Sequence, residues 1–559
     1  MKKILSLATF VFFAWCLSLV NKYTLIIILL SMLFCFIAYM YFTSKKTENN
    51  KLTFLYVTIS FLFVSYVLNC ILGANYLLHP FSTILVLGVI APTFFLLGYR
   101  IILSIHCFVD SIISSNKQKD FAESSGIGCS IVIATSNEPF DVCKMTFDST
   151  YALDYPSNLR EIIVVDNSDL THHDFNMWRD YVNNHNMVDG VKCVFIHRDG
   201  TDGYKPRNLD IAVKNTNFEY VLFLDADSTL PANTLKVGMH EFIKDKKVGF
   251  VSFLIESTNY HMNLVTKVTS IFQNTIRYFN EFVGKYGYCN YQGHNGIWSK
   301  KALQATSQWE EYYKSHVMVT EDIAAGFRCY EAGFVSKPIF LKTGEWVPTS
   351  LKEFEKMWLR WSFGGMQVMH KYISKIIGSP NLYFRVKLDM LYLLFKVVAS
   401  GFPIFAMLLA MFPRSDPGFV LVVNITLIPL ILLSVWYYFH GDIYGSVVSK
   451  ITQIYIAMFM LSSYVFWCGI KAEINFYLNK GLHWTPTSKV FDKVDGWPVI
   501  LYENLGKLTF SFVGLVFASM SLYRFYSSED FIMYVLCMLP SILLFLNTIL
   551  CVLILGRSK

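Results

Sequence analysis

Apolar stretches long enough to cross a bilayer cluster at the two ends of this chain of 559 residues. A transmembrane helix needs about 20 consecutive, mainly apolar residues. The N-terminal stretches cover 4–20, 24–43, 53–73 and 81–105, and the C-terminal stretches cover 389–413, 418–440, 451–470, 508–525 and 531–555. This pattern predicts transmembrane regions over 1–110 and 386–559, on either side of a more polar domain over 121–385.

The composition supports a membrane protein. Hydrophobic residues make up 54% of the chain and charged residues 16%, whereas about 25% of the residues in a soluble domain are charged. A disordered, collagen-like or nucleic-acid-binding chain is therefore excluded as the first interpretation. The 12 cysteines form no Cys-x-x-Cys pair and no zinc-type spacing, so we expect reduced, structural thiols.

The positions of the lysines orient the apolar stretches, because cytosolic loops of membrane proteins are enriched in lysine and arginine. Lys2 and Lys3 precede the first stretch, and Lys45, Lys46 and Lys51 lie between the second and third stretches. The N-terminus and the central domain are therefore predicted to be cytosolic, in a multi-pass protein of the plasma membrane. No small-residue cleavage site precedes the second stretch, so the first is predicted to be an uncleaved helix rather than a signal peptide.

In the C-terminal region, the lengths of the apolar stretches and the positions of the lysines indicate different numbers of membrane crossings. Five crossings would put 471–507 outside, yet this segment contains five lysines. Four crossings would keep it in the cytosol, together with Arg557 and Lys559 at the C-terminus. We predict four, hence eight crossings in the whole chain, with 451–470 lying in the membrane interface or re-entering.

Five short apolar runs of the central region predict strands, at 130–134, 161–165, 192–196, 220–224 and 249–254. The runs alternate with helical stretches, and continuous apolar runs of this length are typical of strands buried on both faces. The sequence therefore predicts an α/β domain with a largely parallel sheet. Ligands of such sheets bind beyond the carboxyl ends of the strands.

The strongest local signal is Leu224-Asp225-Ala226-Asp227, which closes one of these runs. Two carboxylates one residue apart at a strand end suit a divalent cation, which takes oxygen ligands and bridges phosphates. An ordinary turn is the alternative, because Asp and Ser are common turn residues.

Other polar side chains follow the strands at the same predicted edge. Thr135 and Glu138 follow the first strand and Asp166 follows the second, as recognition of a base and a ribose would require. Capped strand-to-helix turns would look the same. The cations of 202–208, which include Lys205, would face either a diphosphate or only solvent.

Further motifs follow in order: Gln292-Gly293-His294-Asn295-Gly296, Thr320-Glu321-Asp322, Glu345-Trp346-Val347-Pro348 and Lys356-Met357-Trp358-Leu359-Arg360-Trp361. In this order and spacing, the motifs of 125–370 resemble those of family 2 glycosyltransferases, specifically the membrane-embedded processive synthases of the cellulose, hyaluronan and chitin synthase type. The resemblance implies a GT-A fold, which is a Rossmann-like α/β domain, inserted between two clusters of transmembrane α-helices.

The resemblance also implies which residues bind the donor. The nucleotide-binding positions would be Thr135, Glu138, Asp166, Lys205, Asp225 and Arg360. Thr135, Glu138 and Asp166 look like the uridine pocket, while Lys205 and Arg360 match family positions at the nucleotide. Asp225 would contact the nucleotide, and Asp227 together with Asp225 would bind Mg²⁺ or Mn²⁺ on the diphosphate.

On the acceptor side, Asp322 looks like the general base that takes a proton from the acceptor hydroxyl, and a positioned carboxylate suffices for that role. Glu321 is the alternative base. Residues that resemble the acceptor site are Gly293, His294, Asn295 and Trp361. A buried, hydrogen-bonded histidine is the alternative for His294. Met357 stands where the family usually has Gln, which suggests an altered acceptor contact.

Three more segments are interpreted through the same resemblance. Thr485, Thr487 and Lys489, in 471–507, look like a gating loop that closes over the nucleotide, with an ordinary lysine-rich loop as the alternative. The amphipathic segments 259–283 and 351–361 are predicted to be interfacial helices that seat the domain on the bilayer. Soluble core helices would show a similar pattern.

The resemblance implies an inverting, metal-dependent processive glycosyltransferase that polymerises a UDP-sugar, with UDP-glucose favoured, into a capsular or extracellular β-linked polysaccharide and exports it. Its partners would be the UDP-sugar donor, the growing polysaccharide and the lipid bilayer, with homo-oligomerisation left open. One alternative is a non-processive transferase that acts on a polyprenyl-phosphate lipid carrier. Another is a transporter with a nucleotide-sensing domain, although the apolar stretches contain no convincing repeat and few ionisable residues.

Overall fold

The computed structural model describes residues 22–44, 50–73, 91–113, 126–285, 287–398, 427–441, 443, 445–481, 495–524, 526–527 and 531–557. The helices are α1 Lys22–Phe42, α2 Asn50–Gly73, α3 Ala91–Ile113, α4 Phe140–Tyr151, α5 Phe175–Asn184, α6 Tyr204–Asn215, α7 Thr234–Lys244, α8 Leu264–Gly284, α9 Lys300–Thr306, α10 Glu321–Glu331, α11 Leu351–Gly378, α12 Phe384–Val398, α13 Ile428–His440, α14 Val447–Tyr477, α15 Trp497–Glu503, α16 Leu505–Arg524 and α17 Phe531–Leu555. The strands are β1 Cys129–Thr135, β2 Arg160–Asp166, β3 Lys192–His197, β4 Tyr220–Asp225, β5 Val248–Ser257, β6 Gly296–Ser299, β7 Tyr312–Tyr313, β8 His316–Val317 and β9 Val335–Glu345. The predicted span 4–20 lies outside the described residues.

Seven strands form one sheet in the order β3-β2-β1-β4-β6-β5-β9. β1 pairs in parallel with β2 on one side and β4 on the other, and β3 pairs in parallel with β2. β6 runs antiparallel between β4 and β5. The predicted α/β fold is therefore confirmed, with a sheet that is mixed on one side of β4.

All five predicted strands are present, within three residues of their predicted ends. Ile131, Val132 and Ile133 of β1 are fully buried, and every residue of β2 is buried. Burial of one such aliphatic side chain stabilises the fold by about 1.5–3 kcal/mol. Apolar runs of this kind form strands because both faces of the sheet are covered.

The sequence does not predict β6 and β9. β6 has four residues and begins with a glycine, and β9 contains Lys337, Pro338 and Lys342, which interrupt its apolar pattern. β9 lies at the edge of the sheet, where a proline is tolerated. Pairing with β5 thus forms β9, rather than a local apolar pattern.

The two predicted amphipathic helices are α8 and the first turns of α11. Phe272 of α8 packs against Phe354 and Trp358 of α11, with ring centroids 6.3 and 5.6 Å apart. Val265 and Val268 of α8 are fully buried. Their apolar faces therefore contribute to the protein core, and contact with a bilayer stays a prediction.

Contacts between Cα atoms divide the chain into two units. One consists of 1–113, 374–439 and 504–550, and the other of 114–373, 440–503 and 551–559. The unit that contains the sheet thus includes 440–503 as well as most of the predicted central domain. The predicted boundaries of that domain, 121–385, stay a prediction.

α14 packs along the unit that contains the sheet. Near its start, the hydroxyl of Tyr260 donates a hydrogen bond to Gln453 Oε1 over 3.2 Å. Near its end, Tyr464 donates to Glu355 over 2.8 Å, and Lys471 Nζ lies 3.1 Å from the same carboxylate. Both ends of the predicted interfacial segment, 451–470, are therefore anchored on one unit.

Three helices are long and apolar enough to cross a membrane: Val447–Tyr477, Leu505–Arg524 and Phe531–Leu555. Shorter apolar helices cover Leu30–Phe42, Thr53–Tyr66, Phe94–His106 and Leu430–Phe439. In the unit formed by the apolar helices, Lys387 of α12 is fully buried and donates to Thr43 Oγ1 and to the carbonyl of Ile377, each over 3.0 Å. Its charge thus lies at the carboxyl ends of α1 and α11, where the helix dipole favours a cation.

Candidate active site

A fully buried carboxylate, Asp166, joins the ends of three parallel strands. Thr135 donates its hydroxyl to Oδ2 over 2.7 Å, and Ser168 donates its amide to Oδ1 and its hydroxyl to Oδ2 over 3.0 and 2.7 Å. Nδ1 of His197 lies 3.3 Å from Oδ1. Thr135 and Asp166 are brought together because they are direct partners in the register of β1 and β2. Contact of this pair with a uracil base stays a prediction.

Lys205 connects the end of β4 to the loop that precedes β6. It lies in the first turn of α6, and its Nζ donates to the Gly293 carbonyl over 3.1 Å and lies 2.5 Å from Asp225 Oδ1. Burial tends to lower the pKa of Lys205, but the carboxylates of Asp225 and Glu321 raise it overall. A charged ammonium group therefore lies between the motif of Asp225, which is predicted to bind the donor, and the loop of Gly293, which is predicted to bind the acceptor.

Asp322, in the first turn of α10, faces the same loop. A Cβ atom at Gly293 would lie only 3.3 Å from Asp322 Oδ2, and Gly293 has a φ of +88°. Glycine thus provides both the turn and the space beside that oxygen. Burial raises the pKa of both Glu321 and Asp322, and Lys205 opposes the shift. A carboxylate with a raised pKa is suited to accept a proton.

Arg360 of α11 is half-buried. Burial lowers the pKa of its guanidinium, whereas the charges of Glu321, Asp225 and Asp322 oppose that shift. The neighbouring Trp361 packs against Trp358, with ring centroids 5.0 Å apart. The charges of the site carboxylates therefore act on Arg360, while its contact with the diphosphate stays a prediction.

Met357 lies in the packed interface between α8 and α11. Its Sδ atom is 3.4 Å from Nε2 of Gln273 in α8, and its side chain is buried. Oε1 of Gln273 is buried without a hydrogen-bond partner among the described residues. The residue that departs from the family motif at 357 therefore lies at a contact between two helices.

His294 and Asn295 are held by the carboxyl end of β9. Nε2 of His294 lies 2.7 Å from Glu345 Oε2, and Nδ1 lies 3.4 Å from the hydroxyl of Ser228. Asn295 donates to Thr343 Oγ1 over 2.9 Å. His294 is a buried, hydrogen-bonded histidine, which was the alternative interpretation, and its contact with an acceptor sugar stays a prediction.

Asp225 and Asp227 are the carboxylates of the candidate metal site. The side chain of Asp225 is 34% exposed, and buried Asp227 accepts the N–H of Trp346 at Oδ2 over 3.1 Å. The part of the chain that the structure describes contains no group of three acidic, His or Cys side chains that could hold a metal ion. Two carboxylates still fit Mg²⁺ or Mn²⁺, because hard cations at such sites are completed by water and substrate phosphates.

Other predicted residues are less closely connected to this cluster. Glu138 is half-buried in the loop between β1 and α4. Arg207, from the same segment as Lys205, is bound by both oxygens of Glu310 over 2.7 and 2.6 Å. The three residues of the predicted gating loop lie outside the described residues: Thr485, Thr487 and Lys489.

Residues 128–364 match the protein family described as "Glycosyltransferase like family 2". These residues are a family 2 glycosyltransferase domain. The match includes the whole seven-stranded sheet and the candidate site from Thr135 to Trp361. Its mixed α/β sheet agrees with the α/β domain that the sequence resemblance implied.

Characterised relatives of the glycosyltransferase domain make polysaccharides, according to their names. The chain is 24% identical to glucomannan 4-beta-mannosyltransferase 7 of Arabidopsis thaliana, over 46% of this chain and 47% of the relative. It is 26% identical to the poly-beta-1,6-N-acetyl-D-glucosamine synthase of Staphylococcus epidermidis, over 55% of this chain and 72% of the relative. The chain is 29% identical to the cellulose synthase catalytic subunit of Pseudomonas fluorescens, over 24% of this chain and 17% of the relative. The matches thus span about half the length of the plant enzyme and less of the cellulose synthase.

Two solved structures are partly similar to this chain. The mannosyltransferase PcManGT from Pyrobaculum calidifontis, in complex with GDP-Man and Mn²⁺, has a TM-score of 0.44 and 16% identity, over 70% of this chain and 99% of that chain. TarS of S. aureus has a TM-score of 0.31 and 17% identity, over 66% of this chain and 57% of that chain.

Three residues of the glycosyltransferase domain contact the site although the sequence assigns them no role: Ser228, Arg277 and Glu345. Ser228 directly follows the two aspartates, and Glu345 belongs to a short motif, so their positions in the sequence are a usable signal. Arg277 lies within an amphipathic helix and outside every motif. Only the tertiary structure brings it to the site.

Proposed function

We propose that this chain is an inverting, processive glycosyltransferase that polymerises a UDP-sugar, with UDP-glucose favoured, into a β-linked polysaccharide. The observation that supports this most directly is the contact of Lys205 with both Asp225 and Gly293. This contact joins the strand end assigned to the nucleotide to the loop beside Asp322. Such a site has one side for a leaving diphosphate and one side for an attacking hydroxyl.

In the proposed reaction, Asp322 takes the proton of the acceptor hydroxyl as that oxygen attacks the anomeric carbon. The bond between this carbon and the UDP oxygen breaks on the opposite face, so the configuration inverts and UDP leaves with the electron pair. Lys205 and Arg360 place positive charge where the diphosphate gains negative charge, and such electrostatic stabilisation is usually the largest catalytic contribution. A divalent cation bound by Asp225 and Asp227 would supply further neutralisation of the diphosphate.

We also propose that the enzyme is a multi-pass protein of the plasma membrane, with a cytosolic catalytic domain and an exported capsular or extracellular product. The apolar helices α16 and α17 support membrane insertion. The lysine-rich segment 471–507 and the N-terminal lysines support the orientation. The names of the relatives support a polysaccharide product.

The test uses the purified full chain in lipid nanodiscs, incubated separately with each common UDP-sugar and Mg²⁺. We expect release of UDP with one donor, loss of release in EDTA, and recovery on addition of Mn²⁺ or Mg²⁺. Asp227→Asn is the matched inactive variant, and its melting temperature should stay close to that of the wild type.

Analysis of the product distinguishes the alternatives. A high-molecular-mass product, digested by a linkage-specific glycosidase, supports the synthase and identifies the sugar and its linkage. A sugar that is extracted into organic solvent indicates the polyprenyl-phosphate acceptor instead. Absence of UDP release with every donor would refute the enzymatic function.

A further inference from the structure

The carboxyl end of β9, residues 343–346, is bound to the segment that carries the two aspartates. The N–H of Thr229 donates to the Gly344 carbonyl over 3.0 Å, and the N–H of Gly344 donates back over 2.8 Å. The N–H of Trp346 donates to Asp227 Oδ2 over 3.1 Å. The turn after β4 is therefore paired with an edge strand that lies far away in the sequence.

The same end of β9 holds the loop on the acceptor side. Asn295 donates through Nδ2 to Thr343 Oγ1 and to the Gly344 carbonyl, over 2.9 and 3.2 Å. His294 is bound to Glu345 over 2.7 Å. The aspartate segment and the acceptor loop thus share one support, which sets their relative positions.

Glu345 is the charged residue of this support. It is buried, and its Oε1 is paired with Arg277 of α8 while its Oε2 is paired with His294. Burial alone would raise the pKa of Glu345, but Arg277 and His294 outweigh burial and lower that pKa to about 2. A buried carboxylate stays ionised only when it is paired and hydrogen-bonded. Arg277 is therefore needed to keep Glu345 charged and facing His294.

His294 continues this series of contacts to the first aspartate. Its Nδ1 lies 3.4 Å from the Ser228 hydroxyl, which accepts the backbone N–H of Asp225 over 3.1 Å. Contacts thus run from Arg277 through Glu345, His294 and Ser228 to the backbone of Asp225. A parallel contact runs from the end of β9 to the second aspartate through the N–H of Trp346.

We propose that Glu345 is a positioning residue that orients Asp225 and Asp227 toward a metal-bound diphosphate, and that Arg277 holds Glu345 in place. The inference rests on the proposed function, because it presumes that these two carboxylates bind a divalent cation. Mg²⁺ tolerates little departure from octahedral geometry. Residues that orient metal ligands commonly change metal affinity about 10- to 100-fold when they are mutated. A purely structural role for Glu345 would lower stability and leave metal affinity unchanged.

The test compares Glu345→Gln with the wild type in the purified full chain. Mn²⁺ binding is measured in the presence of UDP from the electron paramagnetic resonance signal of free Mn²⁺, which requires no turnover. Gln keeps the size of the side chain but lacks the charge that faces Arg277 and His294. We expect the Kd for Mn²⁺ to rise about 10- to 100-fold, while the Kd for UDP measured in chelator changes little.

Glu311→Gln is the matched control, because Glu311 is a partly buried carboxylate whose cationic partners, Arg328 and Lys371, do not belong to β9. This control should lower the melting temperature and leave the Kd for Mn²⁺ unchanged. Ser228→Ala is the second variant, since it removes the link between His294 and Asp225 without leaving a buried charge unpaired. It should weaken Mn²⁺ binding even if Glu345→Gln does not fold.

The outcomes separate this inference from the proposed function. Wild-type Mn²⁺ affinity in Ser228→Ala, or in folded Glu345→Gln, overturns the positioning role while leaving the synthase proposal intact. If the wild type itself neither binds Mn²⁺ with UDP nor releases UDP from any donor, the proposed function fails first.

Discussion

The ammonium group of Lys205 lies among carboxylates that have different proposed tasks. It contacts Asp225 over 2.5 Å, and the charges of Glu321 and Asp322 also act on it. A nearby cation favours the ionised form of a carboxyl group. The charged lysine can therefore stabilise the ionised forms of both Asp225, the proposed nucleotide ligand, and Asp322, the proposed base.

Replacing Asp322 by Asn should lower kcat by about 10²–10⁴-fold, which is typical for the loss of a general base. Asn keeps the size of the side chain and can accept the hydrogen bond that Ile323 donates to Asp322, but it cannot take a proton. Single-turnover rates and the Kd for UDP should be measured together, and the Kd should change little. If UDP affinity falls in step with the rate, Asp322 supports the nucleotide, and Glu321 becomes the next candidate for the base.

Glu281 of α8 gives the stability of the protein a defined pH dependence. It accepts hydrogen bonds from Ser252 and Gln292 over 3.1 and 2.8 Å, yet burial raises its pKa to about 8. In the unfolded chain the same group has a pKa of about 4.3, the usual value for an exposed Glu. Its contribution to stability is therefore complete below that unfolded pKa and is lost as the pH rises through about 8.

We therefore expect the melting temperature of the wild type to fall between about pH 6 and pH 8, and Glu281→Gln to reduce this fall. Gln is neutral throughout the range and keeps an acceptor for Gln292. Thermal unfolding in one detergent across the range measures the effect. Equal pH slopes in the two proteins would contradict the assignment.

Among the elements, α8 and α11 connect the site to the core. α8 packs on β5 and β9 and also on α14, while α11 carries Arg360. Gln273 and Met357 face each other where the two helices meet. The packing of this pair therefore bears on the position of Arg360.

Met357→Gln should raise the free energy of unfolding by about 1 kcal/mol, the usual net contribution of a buried hydrogen bond. The new amide can donate to Gln273 Oε1, which has no partner among the residues described here, and can accept from its Nε2. Chemical denaturation measures the change. Met357→Leu is the control, because it removes the sulfur without adding a donor and should not stabilise. A less stable Met357→Gln would show that the two amides cannot pair.

For the whole molecule, the contacts of α14 bear on the predicted number of membrane crossings in the C-terminal region. Gln453 and Lys471 contact Tyr260 and Glu355 of the same unit. The 18 helical residues between them correspond to about 27 Å. That length is close to the ~30 Å hydrocarbon core of a bilayer. If this unit is cytosolic, as proposed, a helix that it holds at both ends would not cross the membrane. The contacts of α14 then favour four C-terminal crossings over five.

This topology predicts the labelling of single cysteines in a protein whose native cysteines have been removed. Lys480→Cys, exposed just after α14, should resist a membrane-impermeant thiol reagent in intact cells and react after permeabilisation. Tyr526→Cys, exposed between α16 and α17, is the matched control and should react from outside. Labelling of Lys480→Cys from outside, together with protection of Tyr526→Cys, would instead show that α14 crosses the membrane.

The sequence by itself determined the first five strands of the sheet, the family of the domain and the residues at the carboxyl ends of β1, β2 and β4. Strands that are covered on both faces need continuous apolar runs, which are visible locally. Parallel register then places Thr135 beside Asp166, and Ala134 beside Asp225, without further information. The predicted span 531–555 has the same bounds as α17, because a long apolar run is also visible locally.

Only the tertiary structure decided β9 and the contacts at its carboxyl end. Lys337, Pro338 and Lys342 hide the strand from a periodicity argument, and β9 forms because β5 offers it a free edge. Arg277 and Glu345 are 68 residues apart, so no local pattern indicates that they pair. Each charge is tolerated in the interior only because the other is present, and that condition depends on how α8 packs against the sheet.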